Sequence, residues 1–168
     1  MNSALFPSEQ QICAAKVLII DDEEADIRVL EWALGQAKFP NFRSLKDSTQ
    51  AQKEFTQYQP DIVLLDFNMP DLDGFAVLKQ LRESTPPGEF LPVLMITGEN
   101  TSEMRSQALA AGASDFLGKP IDYLEVTLRI RNLLQIRFLH QQARKIQARV
   151  ETLSAGDGTS PQAKPGQK

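Results

Sequence analysis

The chain is poor in sulfur and histidine, has no long apolar stretch, and shows no excess of positive charge. Its single cysteine, Cys13, excludes an internal disulfide framework and fits a reducing compartment. The plain reading of Cys13 is a packed thiol just ahead of a strand. One cysteine and one histidine exclude a Cys/His metal site, and His140 falls on a late helix, where no Ser-His-Asp triad can be built around it. No apolar run approaches the roughly 20 residues that cross a bilayer. The opening "MNSALFPSEQQICAAK" lacks the positive start and apolar centre of a signal peptide, so a cytoplasmic protein without a membrane partner is expected. With 18 Lys and Arg against 22 Asp and Glu, the net charge of −4 makes no general case for nucleic acid or an anionic surface. Neither phosphate-cradling pattern, GxxxxGK or GxGxxG, is present. What remains is ordinary: 168 residues, 42% hydrophobic and 24% charged, enough for one globular domain.

Short apolar runs alternate with stretches of helical period between residues 16 and 117. That is the pattern of a parallel sheet with helices on its faces. The spacing predicts strands at "KVLII" (16–20), a weaker "NFRSL" (41–45), "DIVLL" (61–65), "PVLMI" (92–96) and "SDFLG" (114–118). Helices are expected at about 25–37, 48–58, 74–84 and 101–111, with Ser48 or Thr49 capping the second and Thr101 or Ser102 the fourth. "STPPGEF" (84–90) is a clear break, because adjacent prolines and a glycine cannot continue a helix.

The character changes at Pro120. From "PIDYLEV" no Gly or Pro interrupts the chain until Gly156, which allows one unusually long helix. Ile136, Leu139, Ala143, Ile146, Val150 and Leu153 follow one another at spacings of 3, 4, 3, 4 and 3, the seam of a short coiled coil. Pairing with another chain is therefore expected of this helix, docking on its own domain being the alternative. Arg129, Arg131, Arg137, Arg144, Lys145 and Arg149 lie in residues 126–150 without an acid among them, and read as a solvated outer face. "SAGDGTSPQAKPGQK" carries no large apolar residue and is expected to be a disordered tail. The layout is thus an N-terminal segment (1–14), a domain (15–130), a helical extension (131–153) and a tail (154–168).

Functional groups of an open parallel sheet gather where strands give way to loops at their carboxyl ends. The first strand runs into Asp21 and Asp22, the third into Asp66 and the fourth into Thr97, and the fifth ends shortly before Lys119. If these strands are neighbours, three carboxylates, a hydroxyl and an ammonium converge. Clustered carboxylates raise one another's pKa and need a cation to stay ionised, and an all-oxygen set suits a hard ion such as partly hydrated Mg²⁺ (or Mn²⁺). Asp66 could then attack a phosphoryl group, with Lys119 and Thr97 on its oxygens. Each residue taken alone has a plainer explanation: Asp66 as turn former, Thr97 with Gly98 as turn chemistry, Lys119 as surface lysine, Glu23 and Glu24 as helix-terminus charge. Their coincidence at successive strand ends favours the site.

These segments together resemble the response regulator receiver domain (CheY-like) of bacterial two-component signalling, over about residues 15–130. "VLIIDDEE" is similar to its acidic pair, "LLDFNMPDLDGF" to its phosphoacceptor segment, "PVLMITGE" to its hydroxyl residue and "AGASDFLGKP" to its switch aromatic and lysine. The resemblance implies a flavodoxin-like (βα)5 α/β fold, a doubly wound parallel sheet of strand order 2-1-3-4-5, with an extended last helix. It makes Asp66 the phosphorylated residue. Asp21, Asp22, Asp66 and the Asn68 carbonyl would hold the metal, and Thr97 and Lys119 would touch the phosphoryl group. Phe116 would be the aromatic that turns inward with Thr97. It further implies a cis bond before Pro120, a tight loop at Gly74, and a tuning of phosphoryl lifetime by Asn68 and Glu99.

The expected function is acceptance of a phosphoryl group on Asp66 from a histidine kinase or histidine phosphotransfer protein. Output would follow through the face of the fourth predicted helix, fifth strand and last helix, by dimerisation or partner binding. Such a protein catalyses its own phosphorylation and dephosphorylation and is otherwise no enzyme. "LRIRNLLQIRFLHQQ" is similar to helices that lead from receivers into further domains, so a piece of a longer regulator is the alternative to a stand-alone protein. An aspartyl-nucleophile phosphatase fits less well, because its acidic pair should come late. A flavodoxin-like nucleotide binder would place Ser, Thr and Gly where "DDEEAD" stands.

Overall fold

Residues 6–99 and 101–156 are described by a computed structural model of the chain. The apolar runs form five strands, β1 (Val17–Ile20), β2 (Phe42–Leu45), β3 (Ile62–Asp66), β4 (Val93–Thr97) and β5 (Asp115–Gly118). They pair in parallel in the order β2-β1-β3-β4-β5, the expected order. The three central strands are buried at every residue, as sequences covered on both faces require, whereas β2 is half-exposed at the edge.

Alternation along each strand divides the core in two. Ile62 and Leu64 of β3 point to one side, with Val17 and Ile19 of β1. There they meet α1 (Glu9–Cys13), α2 (Glu24–Gln36) and the first turns of α6 (Tyr123–Gly156). Val63 and Leu65 point to the other side, among α3 (Ala51–Tyr58), α4 (Gly74–Ser84) and α5 (Ser102–Ala110). α5 is the loosest of these, burying only Ala108.

Two local expectations are corrected, and the N-terminal segment adds an element of its own: Ser8 caps α1, and α1 lays Ile12 into the core beside α6. Neither Ser48 nor Thr49 caps the helix expected at 48–58. Asp47 accepts from Thr49 N at 2.9 Å and starts a 3₁₀ turn (Ser48–Gln50), and α3 begins only at Ala51. Ser48 is buried instead and donates to Pro70 O, in the loop that follows β3. Finally, α6 runs through Gly156, three residues into the segment assigned to the tail; the remainder, 157–168, lies outside the described residues.

Thr101 caps α5, accepting from Met104 N at 3.2 Å, and Asp122 accepts from Glu125 N at 2.8 Å where α6 begins. Four of the six cations read as a solvated face have partners within the molecule, Arg144 through Glu89 among them. Arg129 pairs with Asp115 and Glu125, Arg131 reaches Glu9 and Ala37 O, and Arg137 donates to Phe90 O. No helix among the described residues is long and apolar enough to cross a membrane.

Candidate functional site

The parallel register brings the expected groups to one edge. Ile20 lies beside Leu65, Asp66 beside Ile96 and Thr97 beside Gly118, so the residues that end β1, β3, β4 and β5 share one rim of the sheet. Asp21, Asp66 and Thr97 are buried there, at 1%, 2% and 0% exposure, while Asp22 is half-buried. One ligand oxygen from each of Asp21, Asp22 and Asp66 can be chosen so that all three lie within 4.8 Å of one another.

Lys119 is the cation that holds this cluster together. Its Nζ is 2.6 Å from Asp66 Oδ1, 2.5 Å from Asp26 Oδ2 and 3.4 Å from Asp21 Oδ2. Asp26, in the first turn of α2, is a contact that the sequence reading missed. Its signal was its place in "DDEEAD", one helical turn after Asp22 and so able to face the same rim. The peptide bond between Lys119 and Pro120 is cis, as expected.

One ammonium does not satisfy three carboxylates. The approach of Lys119 to Asp66 is poorly aligned for a hydrogen bond, and neither oxygen of Asp66 nor Oδ1 of Asp22 makes a well-directed one within the protein. Orphaned buried acceptors are costly and rare. Burial pushes the Asp66 carboxyl above the ordinary range, against the pull of Lys119 and the Asn68 amide, and the Asp22 charge pushes it further. Burial likewise takes Asp21 up to about 6; the Glu23 amide, donating at 2.8 Å, and Lys119 oppose this, while the charges of Asp66 and Asp26 add to it. Lys119 shows the reverse balance, with burial lowering its pKa but Asp26 and Asp66 raising it more, so the ammonium stays charged. An all-oxygen, orphaned carboxylate set is what a hard divalent cation would satisfy, and the residues present fit Mg²⁺.

Around this centre, Asn68 and Glu99 are exposed on the loops after β3 and β4, at the mouth. The Thr97 hydroxyl is turned toward α5: it accepts from Glu99 N at 3.1 Å and lies 3.9 Å from Met104 Sδ. The expected inward turn of Phe116 finds its ring already inward, 3% exposed in the core beside Met95's strand, with the Arg105 guanidinium 5.6 Å from its centroid.

Gly74 serves the site by leaving space. A Cβ there would stand 2.6 Å from Asp66 O and 2.9 Å from Phe67 Cα, so the start of α4 can press on the end of β3 only without a side chain. Asp71, at φ 66°, and Asp73, which caps α4 by accepting from Ala76 N, are turn and cap residues.

Comparison with known proteins bears on this geometry. The family model described as response regulator receiver domain matches residues 17–131. Response regulator PleD of Caulobacter vibrioides is 36% identical over 135 residues, 80% of this chain but 29% of its own length. The alkaline phosphatase synthesis transcriptional regulatory protein PhoP of Bacillus subtilis is 32% identical over 120 residues, 71% of this chain and 48% of its own. The chain thus spans about half or less of the length of these curated relatives. Among solved structures, a response regulator receiver domain protein from Clostridium thermocellum superposes with a TM-score of 0.66 at 27% identity, covering 74% of this chain and 98% of that one. A chain of the CheX-CheY-BeF3-Mg²⁺ complex from Borrelia burgdorferi gives 0.66 at 26% identity, covering 71% and 88%. Family model, relatives and fold agree with the acidic rim: this chain belongs to the response regulator receiver domain family.

Proposed function

We propose that the protein accepts a phosphoryl group on Asp66 from the phosphohistidine of a histidine kinase or histidine phosphotransfer protein. The observation that carries this reading is the buried Asp66 carboxylate, poorly hydrogen-bonded yet 2.6 Å from Lys119 and joined to Asp21 and Asp22. An Asp66 oxygen forms the new bond to phosphorus as the phosphorus–nitrogen bond of the donor breaks, and the imidazole leaves with the electron pair. Asp21, Asp22, Asp66 and the Asn68 carbonyl would hold Mg²⁺ (or Mn²⁺), which when bound supplies charge neutralisation on the phosphoryl oxygens. Lys119, already charged and centred among the carboxylates, pairs with one phosphoryl oxygen in place of Asp66. Thr97 must turn from Met104 and the Glu99 amide to donate to another, and that exchange pulls on the first turn of α5. Asn68 and Glu99 border the path by which water reaches the acyl phosphate, and so tune its lifetime.

Output leaves through α5, β5 and α6, and pairing of two chains along α6 is the form it takes here. In heptad terms Ile136, Ala143 and Val150 fall at a and Leu139, Ile146 and Leu153 at d, and Ile136, Ile146, Val150 and Leu153 are all more than half exposed. Gln142 and Gln147 flank the seam without charge, so a parallel copy meets no like-charge repulsion there. The compartment is the cytoplasm, where a kinase core and a reduced Cys13 are at home.

Acetyl phosphate with Mg²⁺, followed by intact-mass measurement, tests the assignment. One phosphoryl group is expected on the parent and none on Asp66→Asn. A parent that gains nothing, or a variant that still gains one, overturns it.

A further inference from the structure

The loop between α4 and β4, residues 85–92, is longer than the turn needs to be, and the phosphoryl chemistry makes no use of it. Its stiffness comes from Pro86 and Pro87, and it reverses at Gly88, φ +78°, with Glu89 N bonded to Pro86 O. From inside the domain Arg82 pins its end, donating to Leu91 O at 2.7 Å and, with the rest of its guanidinium, to Gly112 O in the turn before β5. From outside α6 lies across it. Arg137, with only 11% of its side chain exposed, donates to Phe90 O. The Phe90 and His140 rings are 6.0 Å apart, and Arg144 Nη1 stands 3.8 Å from Glu89 Oε1.

Arg137, His140 and Arg144 are spaced 3 and 4 apart and form one stripe over two turns of α6. That stripe lies roughly 120° round the helix from the Ile136–Leu153 seam at 3.6 residues per turn. Phe138 is the last buried residue of α6 among the described side chains, and residues 143–154 are exposed. The loop therefore grips α6 where it leaves the domain, on a side that leaves the seam open.

We propose that residues 85–91 are a strap whose contacts to Arg137, His140 and Arg144 fix the direction in which α6 leaves the receiver. Phe90 and Arg137 are its principal positioning residues, and Arg82 joins it to the turn that leads into β5. A helix held only by its buried first turns would swing about Phe138; the strap makes it move with the domain. This holds whether or not Asp66 accepts a phosphoryl group, and the test needs no phosphoryl donor.

The test is a dipolar distance measurement on the full chain carrying Cys13→Ser, with spin labels at Lys79→Cys on α4 and Gln147→Cys on α6, diluted with unlabelled protein so that only intrachain distances count. The parent is expected to give one narrow distance distribution. Phe90→Gly and Arg137→Ala should broaden and shift it. Glu89→Arg should broaden it less, and the double variant Glu89→Arg/Arg144→Glu should narrow it again, a recovery that general destabilisation would not produce. A parent distribution that is already broad overturns the proposal. So does a distribution unchanged in both Phe90→Gly and Glu89→Arg, two substitutions outside the buried core that leave the fold in place.

Discussion

Asp21 is buried to 1% exposure, and burial carries its pKa to about 6. A raised native pKa means that the fold binds this proton more tightly than the unfolded chain does. Its contribution to stability is complete below about pH 4 and is lost as pH rises through about 6, a total change of up to about 3 kcal/mol. Asp21→Asn keeps the acceptor for Glu23 N and removes the charge. Without metal, this variant should melt above the parent at pH 7.5 and level with it near pH 4. Mg²⁺ should raise the parent's melting temperature and leave the variant's nearly unchanged; equal responses to Mg²⁺ would count against Asp21 as part of the cation site. Gly74 is the second residue whose role is set by its neighbours. The added methyl of Gly74→Ala meets backbone at 2.6 and 2.9 Å, neither of which can swing aside, so a loss of roughly 1–3 kcal/mol is expected. Chemical denaturation measures it, and an unchanged midpoint would show that β3 and α4 are less tightly set than these distances state.

Among the elements, α5 is the one built to move. It buries Ala108 alone, its start depends on the Thr101 cap, and its first turn carries the Met104 that the Thr97 hydroxyl approaches. Loss of a cap costs a helix about 0.5–2 kcal/mol. In an element with so little packing, that loss appears as local opening rather than global unfolding. Thr101→Ala should therefore speed amide exchange across residues 102–110 with little change in the exchange of β3 or β4; acceleration spread evenly over the sheet would place α5 in the cooperative core instead. α6 is the opposite case, an element far longer than its own domain can cover. A carboxylate at the centre of its seam, Ile146→Asp, should leave a folded receiver and abolish any pairing. Light scattering with and without beryllium fluoride and Mg²⁺ reads this directly. A parent that is monomeric under both conditions would remove pairing as the output.

At the scale of the whole molecule, the two ends of one sheet carry different groups. The carboxyl ends of the strands hold Asp21, Asp22, Asp66, Thr97 and Lys119; at the other end, the 85–92 loop and α6 meet over the start of β4. β5 and the turn before it touch both, through Lys119 and Thr97's neighbour Gly118 on one side and Gly112 on the other. With phosphoryl chemistry at Asp66 and the loop directing α6, both would depend on the same few strands.

Much of this was written locally in the chain. The buried strands announce themselves as continuous apolar runs, their parallel arrangement follows from the alternation with helices, and the carboxylates, Thr97 and Lys119 stand at or just beyond strand ends, where polarity changes abruptly; the strand order is implied only by the family resemblance. Thr101 is the one used of the two caps expected for α5, while Asp73, read as a turn residue, also caps α4. The tertiary structure decided what depends on residues distant in sequence. Asp26 joins Lys119 across 93 positions, and Ser48 gave up its expected cap because burial against the Pro70 loop offered its hydroxyl a partner. Phe116 lies inward because β5 packs beside β4, and the segment that reads only as a break meets α6 through Glu89 and Phe90. Periodicity reports which face of an element is apolar; only the packed fold determines which charges, rings and carbonyls that face finally meets.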